Sequence, residues 1–236
     1  MSGGITGRLN EVRSGSAFLM VGAALLASAP SAFGQTPSVE TAQENVSRTG
    51  EPFEFALIGD YPYTPRDRAG MPHLMDELRR DRSIQFLLHL GDIHSPQETD
   101  CSEALFRERR AVLLEAGHPL VLTPGDNDWA DCKGDPVAQL ETLRRVFYAE
   151  PDRAAGSGGF ALRSQAAGEE FPELVENVIW EREGVVFATL HMIAPDPRNV
   201  FDGTSETRAR LIRGSEAWLV EVFRVAKERD ARGVFL

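Results

Sequence analysis

Phe86-Leu87-Leu88-His89-Leu90-Gly91-Asp92 is an apolar run that stops at a Gly-Asp corner. Two more stretches end the same way: Phe55-Ala56-Leu57-Ile58-Gly59-Asp60 and Leu120-Val121-Leu122-Thr123-Pro124-Gly125-Asp126. The three aspartates are spaced 32 and 34 residues apart. A strand–helix–strand unit takes about 30 residues or more, so this spacing predicts three parallel strands joined by helices. A short continuous apolar run bounded by Gly reads as a strand buried on both faces. Parallel strands end on one edge of the sheet, and open α/β sheets bind ligands in the crevice there. Asp60, Asp92 and Asp126 are therefore expected at one crevice. Carboxylates gather in a partly dry crevice only where a cation offsets their repulsion, so the pattern predicts a metal site.

Working outward, Met71, Leu74, Met75 and Leu78 mark one face of a helix between the first two strands. The spacing of Asp100 and Glu103 predicts a capping box for a second helix, with Leu105, Val112, Leu113 and Ala116 as its apolar stripe. Asp135-Pro136 reads as an N-cap with Pro at the first helical position, and Leu140, Leu143 and Phe147 follow as the buried face. Residues 150–172 read as a long surface excursion with one short strand at Phe160–Arg163. Asn177 to Glu181 and Gly184 to His191 read as a hairpin, which makes the sheet system mixed. Leu211, Ser215, Trp218, Leu219, Val222 and Ala226 mark a last helix. The run Gly233 to Leu236 resembles the start of another buried strand, and the expectation is that the natural chain runs on beyond it.

The chain has 236 residues, 42% hydrophobic and 26% charged, with a formal net charge of −11. That is ordinary for a globular domain, and it gives no bulk attraction to nucleic acid or to anionic membranes. Arg8 and Arg13 precede the apolar run Ala17 to Ala29, and Ala32-Phe33-Gly34 offers small residues before Gln35. Residues 1–34 therefore read as an export signal. The run falls short of the roughly 20 residues a spanning helix needs, so no stable membrane anchor is expected. Residues 35–52 read as a polar, disordered leader, and 53–236 as the domain. In an exported chain the pair Cys101 and Cys132 is expected to form a disulfide.

Candidate ligands at the strand ends are Asp60, Asp92, Asp126, Asn127 and His191. Carboxylate and amide oxygens suit hard cations, while imidazole adds a preference for Zn, Fe or Mn. Two ions about 3.5–4 Å apart sharing one carboxylate are the usual arrangement for phosphate-ester hydrolysis, and Asp92 is the natural bridge. A lone strand-end Asp is commonly a turn residue, and a lone strand-end His such as His191 is commonly structural. His89 reads as a hydrogen-bonded core residue. His94 is a candidate for substrate contact. Asp126-Asn127-Asp128 fails the EF-hand calcium pattern, because Ala130 and Asp131 stand where a ligand and the Gly belong. The absence of a G-x-S-x-G turn argues against a nucleophilic hydrolase.

With these residues in hand, the chain resembles the calcineurin-like metallophosphoesterase superfamily. That family's motifs run D-x-H, G-D, G-N-H-D or G-N-H-E, a His, then G-H-x-H. Gly91-Asp92 matches the second, Gly125-Asp126-Asn127-Asp128 stands at the third, and His191 stands at the fourth. Pro124 to Trp129, with Asp131-Cys132, resembles a bacterial exported branch. The resemblance implies an α/β fold, a β-sandwich flanked by helices, with the metal site at the C-terminal strand ends. It implies two divalent or trivalent ions, Fe, Mn or Zn, and a small phosphorylated substrate hydrolysed by a metal-activated water.

Three departures stand against it. Pro62 replaces the His of the first motif, and Tyr63 is the nearby candidate ligand. Asp126 and Asn127 replace the ligand Asn and the acid His of the third, so either could be the ligand. Asn127 cannot act as a general acid, which leaves water or His94 for that role. The last motif is absent. Two functions follow: an exported metal-dependent phosphoesterase, or an inactive phosphate- or anion-binding protein on the same fold.

Overall fold

The structure is a computed structural model that describes residues 20–23, 52–98, 100–192 and 205–236. Glu54–Ile58 (β2), Ile84–His89 (β3) and Leu120–Leu122 (β4) form the three expected strands, paired in parallel in that order. Met20–Ala23 (β1) pairs antiparallel on the outer edge of β2. These four residues fall in the run read as an export signal; the rest of that segment and the leader through Glu51 lie outside the described residues.

Pro65–Arg80 (α1) and Glu103–Leu114 (α2) are the crossovers. α1 starts six residues before the apolar periodicity, because Thr64 and Asp67 form a reciprocal capping box and Pro65 presets the first turn. The cap of α2 is Ser102, whose side chain accepts from the Leu105 N–H, and not the expected Asp100. A Ser directly before the helix reaches the third amide of the first turn, as an N-cap must. Pro136–Phe147 (α3) is capped by Asp135 as expected.

The second sheet contains Arg163–Ser164 (β5), Val178–Arg182 (β6), Val185–Ala188 (β7) and Gly233–Phe235 (β8), in that order. β6 and β7 are the expected antiparallel hairpin. β7 ends at Ala188, three residues short of His191. The strand placed at Phe160–Arg163 is shifted to Arg163–Ser164. Ser205–Glu228 (α4) leads to β8, which pairs parallel to β7.

Period-two alternation assigns the layers. Phe55, Phe86 and Leu88 point from the first sheet at Trp180 and Phe187 of the second. Rings stack there, with centroids 5.1 Å apart for Phe55–Phe86 and 5.2 Å for Trp180–Phe187. Ala56, Ile58 and Leu87 point the other way, onto Met75, Phe106 and Leu143 of α1, α2 and α3. Val186 and Ala188 face Trp218 and Val222 of α4. The described chain is thus a mixed α/β fold of two face-to-face sheets with helices on both outer faces. Among the described residues no helix is long and apolar enough to cross a membrane.

Candidate metal centre

The three Gly-Asp corners meet at one edge. Backbone crowding fixes how closely. A Cβ on Gly91, at φ +86, would lie 2.1 Å from the Gly125 nitrogen, and one on Gly125 would lie 1.9 Å from Asp92 Oδ1. Only glycine permits this approach. Asp60 and Asp92 both sit at φ 55, a left-handed conformation that Asp tolerates better than most residues.

The carboxylates are joined through shared donors. The Tyr63 hydroxyl lies 3.0 Å from Asp60 Oδ1 and 2.6 Å from Asp92 Oδ2. The Asn127 N–H is shared between Asp92 Oδ1 at 3.3 Å and Asp126 Oδ1 at 3.0 Å. Asp92 therefore belongs to both pairs. Asp60, Asp92 and Asp126 line one end of a cleft of about 580 Å³ that continues over Leu90, Leu190, Met192 and Leu219.

The corners are held from beneath by Asp128. Its carboxylate is fully buried and accepts the backbone N–H groups of Asp92 (2.9 Å), Ile93 (2.8 Å) and Gly125 (2.8 Å). One side chain thus ties the second corner to the third. Burial pushes Asp128 up to about 6 despite those three donors. Burial likewise pushes Asp92 up to about 7; the charges of Asp128, Asp126 and Asp60 add to the rise, and the Tyr63 hydrogen bond opposes it. Burial and the bond to Asp92 drive the Tyr63 phenol well above its usual range.

The remaining candidates lie elsewhere. Asn127 is buried off the cleft and turns its amide nitrogen to Asp92 Oδ2 (2.9 Å), the Tyr63 hydroxyl (3.0 Å) and the His94 carbonyl (3.4 Å). It is a donor to Asp92, and of the two candidate ligands at the third corner it is Asp126 that lines the cleft. His94 is 1% exposed, with Nδ1 on the Ser95 carbonyl at 3.1 Å and Nε2 against Cys101 Sγ. Burial lowers its pKa, and it does not line the cleft, so it is not placed to protonate a leaving group there.

His191 is also withdrawn, at 1% exposure. Its Nε2 accepts the Trp129 indole N–H at 3.1 Å, and its Nδ1 lies 2.7 Å from Glu176 Oε1. Arg144 binds the same carboxylate through Nε (3.0 Å) and Nη2 (2.6 Å). Burial raises Glu176, but His191 and Arg144 outweigh it and hold the carboxyl at about 2.

Asp128 and Trp129 stand in the third motif of the sequence without a role assigned to them, and Glu176 is a further residue that no motif marks. The sequence signal for Asp128 and Trp129 is their place immediately after the third corner. Glu176 carries no local signal, because its partners arrive from α3 and from the end of the hairpin.

Cys101 and Cys132 form a disulfide with Cα atoms 5.8 Å apart. It links the loops that follow the second and third corners, and both sulfurs lie under the Asn127 carbonyl. Among the described residues, His94, Cys101 and Cys132 are the one His/Cys/Asp/Glu group whose ligand atoms lie within 4.8 Å of one another. The disulfide consumes both thiolates, so this group is a brace. The three aspartates are spread more widely, as pairs sharing Asp92. Three carboxylates and a phenol form a hard, oxygen-rich donor set that fits a divalent or trivalent cation, and Asp92's raised pKa marks the charge such an ion would offset. Comparisons with protein-family profiles, with curated proteins and with solved structures return no match.

Proposed function

We propose that the chain is an exported, metal-dependent phosphoesterase of the calcineurin-like type that hydrolyses phosphate mono- or diesters. Asp60, Asp92 and Asp126, with Tyr63, would hold two ions, Asp92 being common to both. Such ions supply positive charge for the phosphoryl oxygens and lower the pKa of a water. The chain's own groups set the stage for this. Asp128 fixes the corner backbones, Asn127 and Tyr63 orient Asp92, and the apolar cleft wall beside the carboxylates excludes water from one side. The observation that carries the reading is Asp92 shared between two donor-bridged carboxylate pairs at the mouth of a cleft. Among the described residues, two sheets face to face with helices outside are compatible with the α/β fold that the reading needs.

A second reading, a phosphate- or anion-binding protein, is favoured by one specific feature: Asn127 cannot donate a proton in general-acid fashion, and His94 is buried away from the cleft. The test is metal content of the purified full chain beside an Asp92→Asn variant, followed by turnover of phosphoesters. About two ions per chain, lost in the variant, with turnover, supports the enzyme. Ions and phosphate binding without turnover support the second reading. No metal above background removes both.

A further inference from the structure

We propose that His191 is a positioning residue that locks the third corner and is not a metal ligand, so that the groups the three corners themselves offer a metal are oxygens alone. The inference rests on the reading that the corners hold a metal. It departs from the resemblance, which puts an imidazole at this position on the ion.

Leu190 and Met192 line the cleft, while His191 between them is buried and does not line it. Both ring nitrogens of His191 are then committed. Trp129 donates its indole N–H, which is a donor only, so Nε2 must be the unprotonated nitrogen. The ring proton is on Nδ1 and is donated to Glu176. Glu176 is fixed in turn by the two-point bond from Arg144 on α3.

The backbone is tied as firmly. The His191 N–H donates to Asn177 Oδ1 at 2.7 Å, and its carbonyl accepts from Ser215 Oγ on α4 at 2.8 Å. An imidazole with its lone pair spent on an indole and its backbone held from two elements cannot swing to an ion without breaking this chain. What it does hold is Trp129. That residue follows Asp128, which in turn clamps the backbones of the second and third corners.

The remaining histidines offer no substitute. His89 receives the Gly91 N–H on Nδ1 and sets Nε2 against the Tyr61 carbonyl. His94 packs on the disulfide. His118 is bonded to the Leu78 carbonyl, and His73 sits on the open face of α1 beside Glu77. The five histidines of the sequence given are thus all placed away from the cleft, and what the three corners themselves offer is carboxylates and a phenol, a set that suits Mn²⁺ or another hard ion better than Zn²⁺.

Manganese is the probe. The full chain is loaded with Mn²⁺ and the pulsed electron-spin-echo spectrum recorded, with and without ¹⁵N-histidine labelling. The expected spectrum carries no modulation from a coordinated imidazole nitrogen and is unchanged by the label. Two variants read the positioning role. In His191→Gln the amide oxygen can still accept from Trp129, and the Mn²⁺ dissociation constant is expected to stay within about 3-fold. His191→Phe offers no acceptor and is expected to weaken binding by about 10–100-fold, as loss of a group supporting the ligand shell does. A coordinated-imidazole signal in the wild-type protein overturns the inference while leaving the metal centre intact, and that spectrum needs no variant to fold. Equal affinity in wild type and His191→Phe overturns the positioning role. No bound manganese at all removes the metal centre itself, and the inference with it.

Discussion

At the scale of single residues, glycine decides whether the corners can meet. Gly125→Ala places a methyl 1.9 Å from Asp92 Oδ1 and 2.7 Å from the Asp92 nitrogen, with backbone on one side and a pinned carboxylate on the other. Neither neighbour can give way cheaply, so the variant is expected to lose about 1–3 kcal/mol, read from urea unfolding. It should lose metal as well, because the third corner must back away from the second. Asp92 supports a further prediction. Its carboxyl is pushed up to about 7 without a cation. A metal ion must displace that proton, so affinity for Mn²⁺ is expected to fall below about pH 7, approaching 10-fold per unit, as titration calorimetry would show. The Gly-Asp pairs were legible in the sequence because a glycine at a strand end followed by an acid is a local pattern. The roles of Asn127, His94 and His191 were not, because which way a side chain turns depends on what the rest of the fold brings beside it. Trp129 reaches His191 from 62 positions away.

At the scale of elements, continuous apolar runs gave the strands, and cap chemistry gave the helix starts. Thr64 with Asp67 and Asp135 with Pro136 are sequence-local signals. The capping box assigned to Asp100 failed because Ser102, nearer the helix, competes for the same amides. The short strand misplaced at Phe160–Arg163 lies in a stretch whose pairing partner, β6, is set by the hairpin and not by its own residues. The disulfide acts at this scale. It closes a loop of 31 residues between the segments that follow β3 and β4. In the chain-entropy account such a closure is worth about 3–4 kcal/mol. The Cys101→Ser, Cys132→Ser double variant is expected to lose stability of that order in a urea titration. The tether between the loops that follow the second and third corners is lost too, so metal affinity is expected to fall together with stability.

At the scale of the whole molecule, Glu176 pulls stability one way with pH while Asp92 and Asp128 pull it the other. Glu176 is held at about 2 against an ordinary value of 4.5, so its contribution is complete above about 4.5 and lost as pH falls toward 2. A shift of that size corresponds to the order of 3 kcal/mol. Asp92 and Asp128 are shifted the other way, up to about 7 and about 6 from 3.8. Their folded-state pKa exceeds the unfolded value, so stability present below about 3.8 is lost as pH rises through 6 and 7. The metal-free protein is therefore expected to be most stable near pH 4, where Glu176 has regained most of its contribution and Asp92 and Asp128 have only begun to lose theirs, and to soften on both sides. A cation bound at the corners reverses only the upper limb, since it offsets the charge on Asp92 and leaves Glu176, on the far side of Trp129, untouched. Thermal melts across pH 3–8 with and without Mn²⁺ should thus separate above about pH 6 and coincide near pH 3, where protons displace the ion. Curves that coincide throughout would mean that no cation relieves the acidic corners, and the centre would lose its physical basis. The layering on which this rests, two sheets face to face with helices outside, follows in part from composition. Alternating Phe and small aliphatic residues on β2 and β3 require two different neighbours, one aromatic sheet and one set of helices. The sequence does not say which strands supply the second sheet, because β8 reaches β7 only after the turn of α4.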